Sequence, residues 1–155
     1  MKLLTFTISI LLMSSLSIFS ASSASIEIVR FKNMVEKDFA NIKEYFNGIE
    51  DQSYRSVFRT DNSERSGFYF IVKLNSKISD LSPDTIISLE WIPYGELKPK
   101  KVSYTIKNRA QGYEILLGLT GTDAPEGNQA PIAWKIDLLN AESESISSEQ
   151  SFLWK

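Results

Sequence analysis

From residue 51 onward, apolar side chains recur at every second position, in short runs broken by Gly, Pro, Asn and Asp. A period of two is that of a β-strand, whose successive side chains point to opposite faces, so each run can bury one face. SYRSVFRTD sets Tyr54, Ser56 and Phe58 on one parity, with Arg55, Val57 and Arg59 on the other. GFYFIVKLN sets Phe68, Phe70, Val72 and Leu74 against Tyr69, Ile71 and Lys73. The polar, Gly-ended DNSERSG between these two runs predicts a hairpin. Apolar residues on both faces of the second run predict a central strand.

The pattern continues through TIISLEWI (Ile87, Leu89, Trp91), KVSYTIK (Val102, Tyr104, Ile106), YEILLGLTG (Ile115, Leu117, Leu119) and AWKIDLL (Trp134, Ile136, Leu138). The intervening SKISDLSPDT, PYGELKPKK and TDAPEGNQAP carry the Pro, Gly and Asp of loops. After the turn NAESE, SISSEQSFLW returns antiparallel and brings Phe152–Trp154 back beside Trp134. Trp134 and Trp154 are therefore expected in the core or at its edge rather than on a docking surface. About seven short strands with regularly spaced turns resemble an antiparallel β-sandwich of the immunoglobulin or fibronectin kind, here over residues 51–155. An eight-stranded outer-membrane barrel needs strands of about ten residues with a polar inner face. These runs are shorter, and Phe68 to Val72 is apolar on both faces.

Ahead of this region, residues 25–50 read differently. IEIV supplies a short opening strand. Phe31, Met34, Val35, Phe39, Ile42, Tyr45, Phe46 and Ile49 then step by three or four, with Lys32, Glu36, Lys37, Lys43 and Glu44 opposite. That spacing predicts an amphipathic helix from about Asn33 to Asn47, stopped by Gly48, with Phe39 and Ile42 packed on the sheet.

The first 24 residues predict a secretory signal peptide: Lys2, an apolar run from Leu3 to Phe19, then Ser22 and Ala24 in small-x-small spacing. Cleavage after Ala24 leaves 131 residues, enough for one domain with a sizeable core. Lys2 is the sole charge in that leader, so the basic count falls from 17 to 16 against 19 acids, a formal charge of −3. A mildly acidic exported domain is a poor match for nucleic acid or an anionic membrane. The chain has no cysteine and no N-x-S/T site, which points to a bacterial periplasmic or secreted protein without stable membrane insertion after cleavage.

Histidine is absent too. Thiol nucleophiles, Ser-His-Asp triads, histidine bases and ordinary zinc or copper sites are thereby excluded. The expected function is a non-catalytic binding or accessory module for an envelope protein or glycan, with no cofactor. Its expected site is Tyr94 with Lys98, Lys100 and Lys101 in PYGELKPKK, an aromatic among cations in a loop. The alternative is a small carboxylate-dependent, glycosidase-like hydrolase drawing its acid pair from Asp84, Glu90, Glu96 and Asp137. Asp123, Glu126 and Asn128 offer oxygen ligands for calcium, but without the dense acid alternation of dedicated calcium loops. Arg55, Arg59 and Arg65, interspersed with Asp61 and Glu64, are expected as ion pairs on a wet face.

Overall fold

A computed structural model describes residues 23–39, 52–107, 109–127 and 129–155. Residues 1–22 of the expected 24-residue leader, and the helical expectation over 40–47, lie outside the described residues. Among the described residues there are eight strands: β1 (Ile26–Met34), β2 (Ser56–Arg59), β3 (Gly67–Leu74), β4 (Ile86–Ile92), β5 (Lys100–Thr105), β6 (Glu114–Thr120), β7 (Ala133–Leu139) and β8 (Ser145–Gln150). They form two four-stranded sheets, in the orders β1-β3-β6-β2 and β5-β4-β7-β8. The protein is mainly β and sandwich-like, and its strands close two open sheets over one core rather than one continuous barrel.

The alternation in the sequence explains that core. Phe70, Val72, Leu74, Ile87, Leu89, Ile115, Leu117, Leu119, Ile136 and Leu138 are all buried in one cluster fed by both sheets. Aromatic pairs tie the sheets at both margins. Phe70 meets Trp134 edge-on at 5.7 Å, and Phe58 of β2 stacks on Tyr104 of β5 at 4.9 Å. Trp134 is only partly buried, yet it packs on the core and also touches Phe31. The terminal hairpin forms as expected, with β7 and β8 antiparallel and Ser151 N–H donating to the Trp134 carbonyl. Phe152 and Leu153 do not turn inward, however, being 88% and 62% exposed, whereas Trp154 is half-buried.

Two local expectations are corrected. The residues from Asn33 to Phe39 are not an α-helix. Asn33 and Met34 continue the β1 ladder opposite Phe68 and Gly67, and Glu36–Asp38 form one 3-10 turn. Edge pairing with β3 satisfies the backbone there, overriding a helical spacing. Nor do β2 and β3 pair as a hairpin. β6 lies between them, parallel to β2 and antiparallel to β3. Thr60 and Thr120 explain the choice. The Thr120 amide donates to Thr60 Oγ1 at 2.9 Å, and Thr60 Oγ1 donates to the Thr120 carbonyl at 3.1 Å.

The second apolar face of β3 is used. Met34, Phe39, Val57, Tyr69 and Leu116 bury one another on the outer side of the β1-β3-β6-β2 sheet. Gly118, directly opposite Tyr69, leaves room for its ring, since a Cβ there would stand 2.4 Å from a ring carbon. Arg59 is also buried: its guanidinium lies 4.7 Å over the Phe39 ring, and Nε donates to the Tyr69 hydroxyl at 2.8 Å. Arg59 thus caps an apolar patch instead of sitting on a wet face.

Candidate functional site

One end of the two sheets carries a cleft of about 450 Å³, between the β4–β5 loop and the β6–β7 loop. Each wall follows from local chain chemistry. Pro93 cannot donate to a ladder and ends β4. Gly95 has φ +81°, and the Glu96 amide donates to the Pro93 carbonyl at 3.2 Å. A turn with positive φ at its third residue needs glycine there, and it presents the second residue outward. That second residue is Tyr94, 64% exposed on the rim of the cleft.

The opposite wall begins where β6 ends. Thr120 is fully buried, and its hydroxyl accepts from the Asp61 amide at 2.9 Å while donating to the Asp61 carbonyl at 2.8 Å. Gly121, at φ +58°, then bends the chain into a 3-10 turn at Gly121–Asp123. A side chain at Gly121 would collide with the Asp61 carboxylate, 2.6 Å from the Cβ position. The turn delivers Asp123 to the cleft.

Lys100, the first residue of β5, joins the two walls. Its Nζ lies 3.2 Å from Asp123 Oδ1 and 3.4 Å from Glu96 Oε1. The hydrogen bond that its ammonium donates to Asp123 raises its pKa above the usual lysine value; slight burial opposes this, and Glu96 adds to it. The ammonium therefore stays charged between two carboxylates. At the base sit Leu119 and Trp91, which is only 3% exposed. Trp91 Nε1 is shielded from solvent and has no hydrogen-bond partner among the described residues. Tyr104, on β5, feels the charge of Asp123 as well. Burial, then the charge of Asp123, push its hydroxyl up to about 12, and that hydroxyl too lacks a partner.

The expected binding residues therefore separate. Tyr94 and Lys100 line the cleft; Lys98 and Lys101 do not. Lys98 is exposed on the loop, and Lys101 pairs with Glu90 at 2.8 Å across the β5–β4 edge. Of the four acids considered for hydrolysis, Glu96 alone lines the cleft. Asp84 sits in the turn before β4, at its far end, and Asp137 is held by Lys135 at 2.9 Å. Asp123 and Glu126 both reach the cleft, whereas Asn128 lies outside the described residues. Among the described residues no three acids converge as a metal site, and Lys100 holds the place a cation would take between Glu96 and Asp123. Trp91 escaped the sequence reading as a site residue because its parity marks it as core, which it also is.

The class this geometry defines is a mainly β, two-sheet domain with a mixed-charge cleft between loops at one end. No family model, curated protein or solved structure matches the chain.

Proposed function

We propose that this protein is an exported, non-catalytic binding module that engages an envelope glycan or protein through the cleft between the β4–β5 and β6–β7 loops. The observation that carries the reading is Lys100, which gathers Glu96 and Asp123 from two separate loops beside an exposed Tyr94. A concave site with an aromatic wall and a few convergent polar groups is what small-ligand recognition requires. Its volume falls within the roughly 300–1,000 Å³ of such sites. The leader at 1–24 supports export to the periplasm or medium.

The strand order favours an immunoglobulin-type sandwich. β1, β3 and β6 stand as A, B and E, while β5, β4, β7 and β8 stand as C′, C, F and G, with the buried Trp91 on C. β2 departs from that scheme, since it leaves the β1–β3 connection and runs parallel to β6. A small hydrolase is the lesser reading. It would need two carboxyls facing each other across the cleft, and Glu96 and Asp123 both contact the Lys100 ammonium instead.

Two experiments test the proposal. N-terminal sequencing of the exported form should begin at or within a few residues of Ser25; a full-length chain held in membrane overturns the export reading. Immobilised wild-type protein should retain material from envelope extract that Tyr94→Ala does not, with both forms melting alike. Equal retention by the two forms places the site elsewhere.

A further inference from the structure

We infer that the cleft takes a neutral saccharide, whose ring lies on Tyr94 and whose hydroxyls engage Glu96, Lys100 and Asp123; this rests on the binding reading above. The charges decide the class. Glu96, Asp123 and Glu126 stand against Lys100 in the lining. An anionic ligand meets three carboxylates. A cationic one meets the Lys100 ammonium, which already occupies the space between Glu96 and Asp123. A neutral polyhydroxyl ligand avoids both repulsions. Its hydroxyls donate to carboxylates and accept from an ammonium, and hydrogen bonds with one charged partner are about twice as strong as neutral ones.

Two further features fit the same ligand. Tyr94 offers an exposed ring face at the rim, suited to the apolar C–H face of a sugar ring. Trp91, at the base, has a buried indole N–H without an acceptor. Buried donors almost always have one, and an orphan costs stability. A sugar oxygen seated against Trp91 at the base of the cleft would supply it. Gln129, also on the lining, adds an amide with both donor and acceptor capacity.

The test is an NMR titration of the ¹⁵N-labelled protein with N,N′,N″-triacetylchitotriose, cellotriose and maltotriose, each at millimolar concentration, and with tetralysine as the cationic probe. Each indole gives its own N–H signal, and that of Trp91 is identified by its loss in Trp91→Phe. At least one saccharide should shift the Trp91 indole signal and the amides of Tyr94 and Asp123. Tyr94→Ala, at an exposed position that does not endanger folding, should weaken that saccharide roughly tenfold, as the loss of one good aromatic contact does. Lys100→Met should weaken it by a similar factor. If no saccharide moves these signals while tetralysine does, the inference falls and the cleft remains a binding site for cations. If neither kind of probe moves them, the inference falls and only retention from envelope extract still speaks for the cleft. Saccharide shifts confined to other surfaces overturn the assignment to this cleft.

Discussion

Replacing Tyr104 by Phe should make this protein more stable, and more so as the pH rises. The Tyr104 hydroxyl is shielded from solvent and has no hydrogen-bond partner among the described residues. Leaving a buried polar group unmade costs about 1–3 kcal/mol, so removing it should gain about 1–2 kcal/mol at pH 7. The ring itself is retained by Phe, and with it the stack on Phe58 at 4.9 Å. The alkaline limb follows from linkage. The folded protein holds the phenol proton up to about 12, against 10.0 ordinarily, first through burial and then through the Asp123 charge. Because the folded value is the higher one, this stabilisation is fully present below pH 10 and is lost as the pH rises through 12. Two units would correspond to about 2.7 kcal/mol, which screening at a half-buried ring reduces to about 1–2 kcal/mol. Guanidinium midpoints at pH 7 and in steps from pH 10 to 12 measure both effects. The Phe variant should unfold at the higher midpoint throughout, and its advantage should widen by about 1–2 kcal/mol across the alkaline window. A variant less stable at pH 7, or a gap that does not change with pH, would refute the reasoning.

Three substitutions probe the rest of the framework. Gly118→Ala places a methyl against the Tyr69 ring, which is itself held by hydrogen bonds to Arg59 and to the Arg65 carbonyl, so thermal unfolding should show a loss of about 1–3 kcal/mol. Phe39→Ala empties a 2%-exposed position beneath the Arg59 guanidinium and should cost about 3–5 kcal/mol by urea denaturation. Trp134→Ala should cost less, roughly 2 kcal/mol, since its ring is only partly buried at the sandwich margin.

The inner faces of the sheets were legible in the sequence because one constraint governs them. Every second residue of a half-buried strand must be apolar, and Ile87, Leu89 and Trp91 or Ile115, Leu117 and Leu119 satisfy nothing else. What failed were inferences about neighbours. Phe31 and Met34 are three apart, as on a helix, but Phe31 reaches Phe70 and Trp134 from an edge strand while Met34 ends the ladder opposite Gly67. Periodicity over a few residues does not separate these cases; pairing with β3 does. The β2–β3 hairpin failed similarly, because its decisive contact is between Thr60 and Thr120, sixty positions apart. The site was half legible. Tyr94 and Lys100 stood out as an aromatic among cations in a loop, and Asp123 as a hard oxygen ligand. That one is the partner of the other, across two loops, depends on both loops meeting at the same end of the sheets, and no local pattern carries that.

The two walls of the cleft are held unequally, and this bears on how a ligand enters. The β6–β7 side is pinned at its root: Thr120 exchanges hydrogen bonds with Thr60 and with both backbone groups of Asp61, and the Ile132 amide donates to the Ile92 carbonyl where the loop rejoins β7. Among the described residues, the Pro93–Leu97 side rests on one turn hydrogen bond and on the Glu96 contact with Lys100, both at the surface. An exposed ion pair of this kind contributes at most about 1 kcal/mol. Shifting Tyr94 and Glu96 therefore costs far less than disturbing Asp123, so the aromatic wall should yield while the acidic wall stays fixed. Lys100 follows from the same inequality. Anchored on β5 and bonded more closely to Asp123 than to Glu96, it can release the yielding wall without leaving the fixed one. A ligand hydroxyl that takes the place of Glu96 on the ammonium would then displace the yielding wall with little of the framework disturbed.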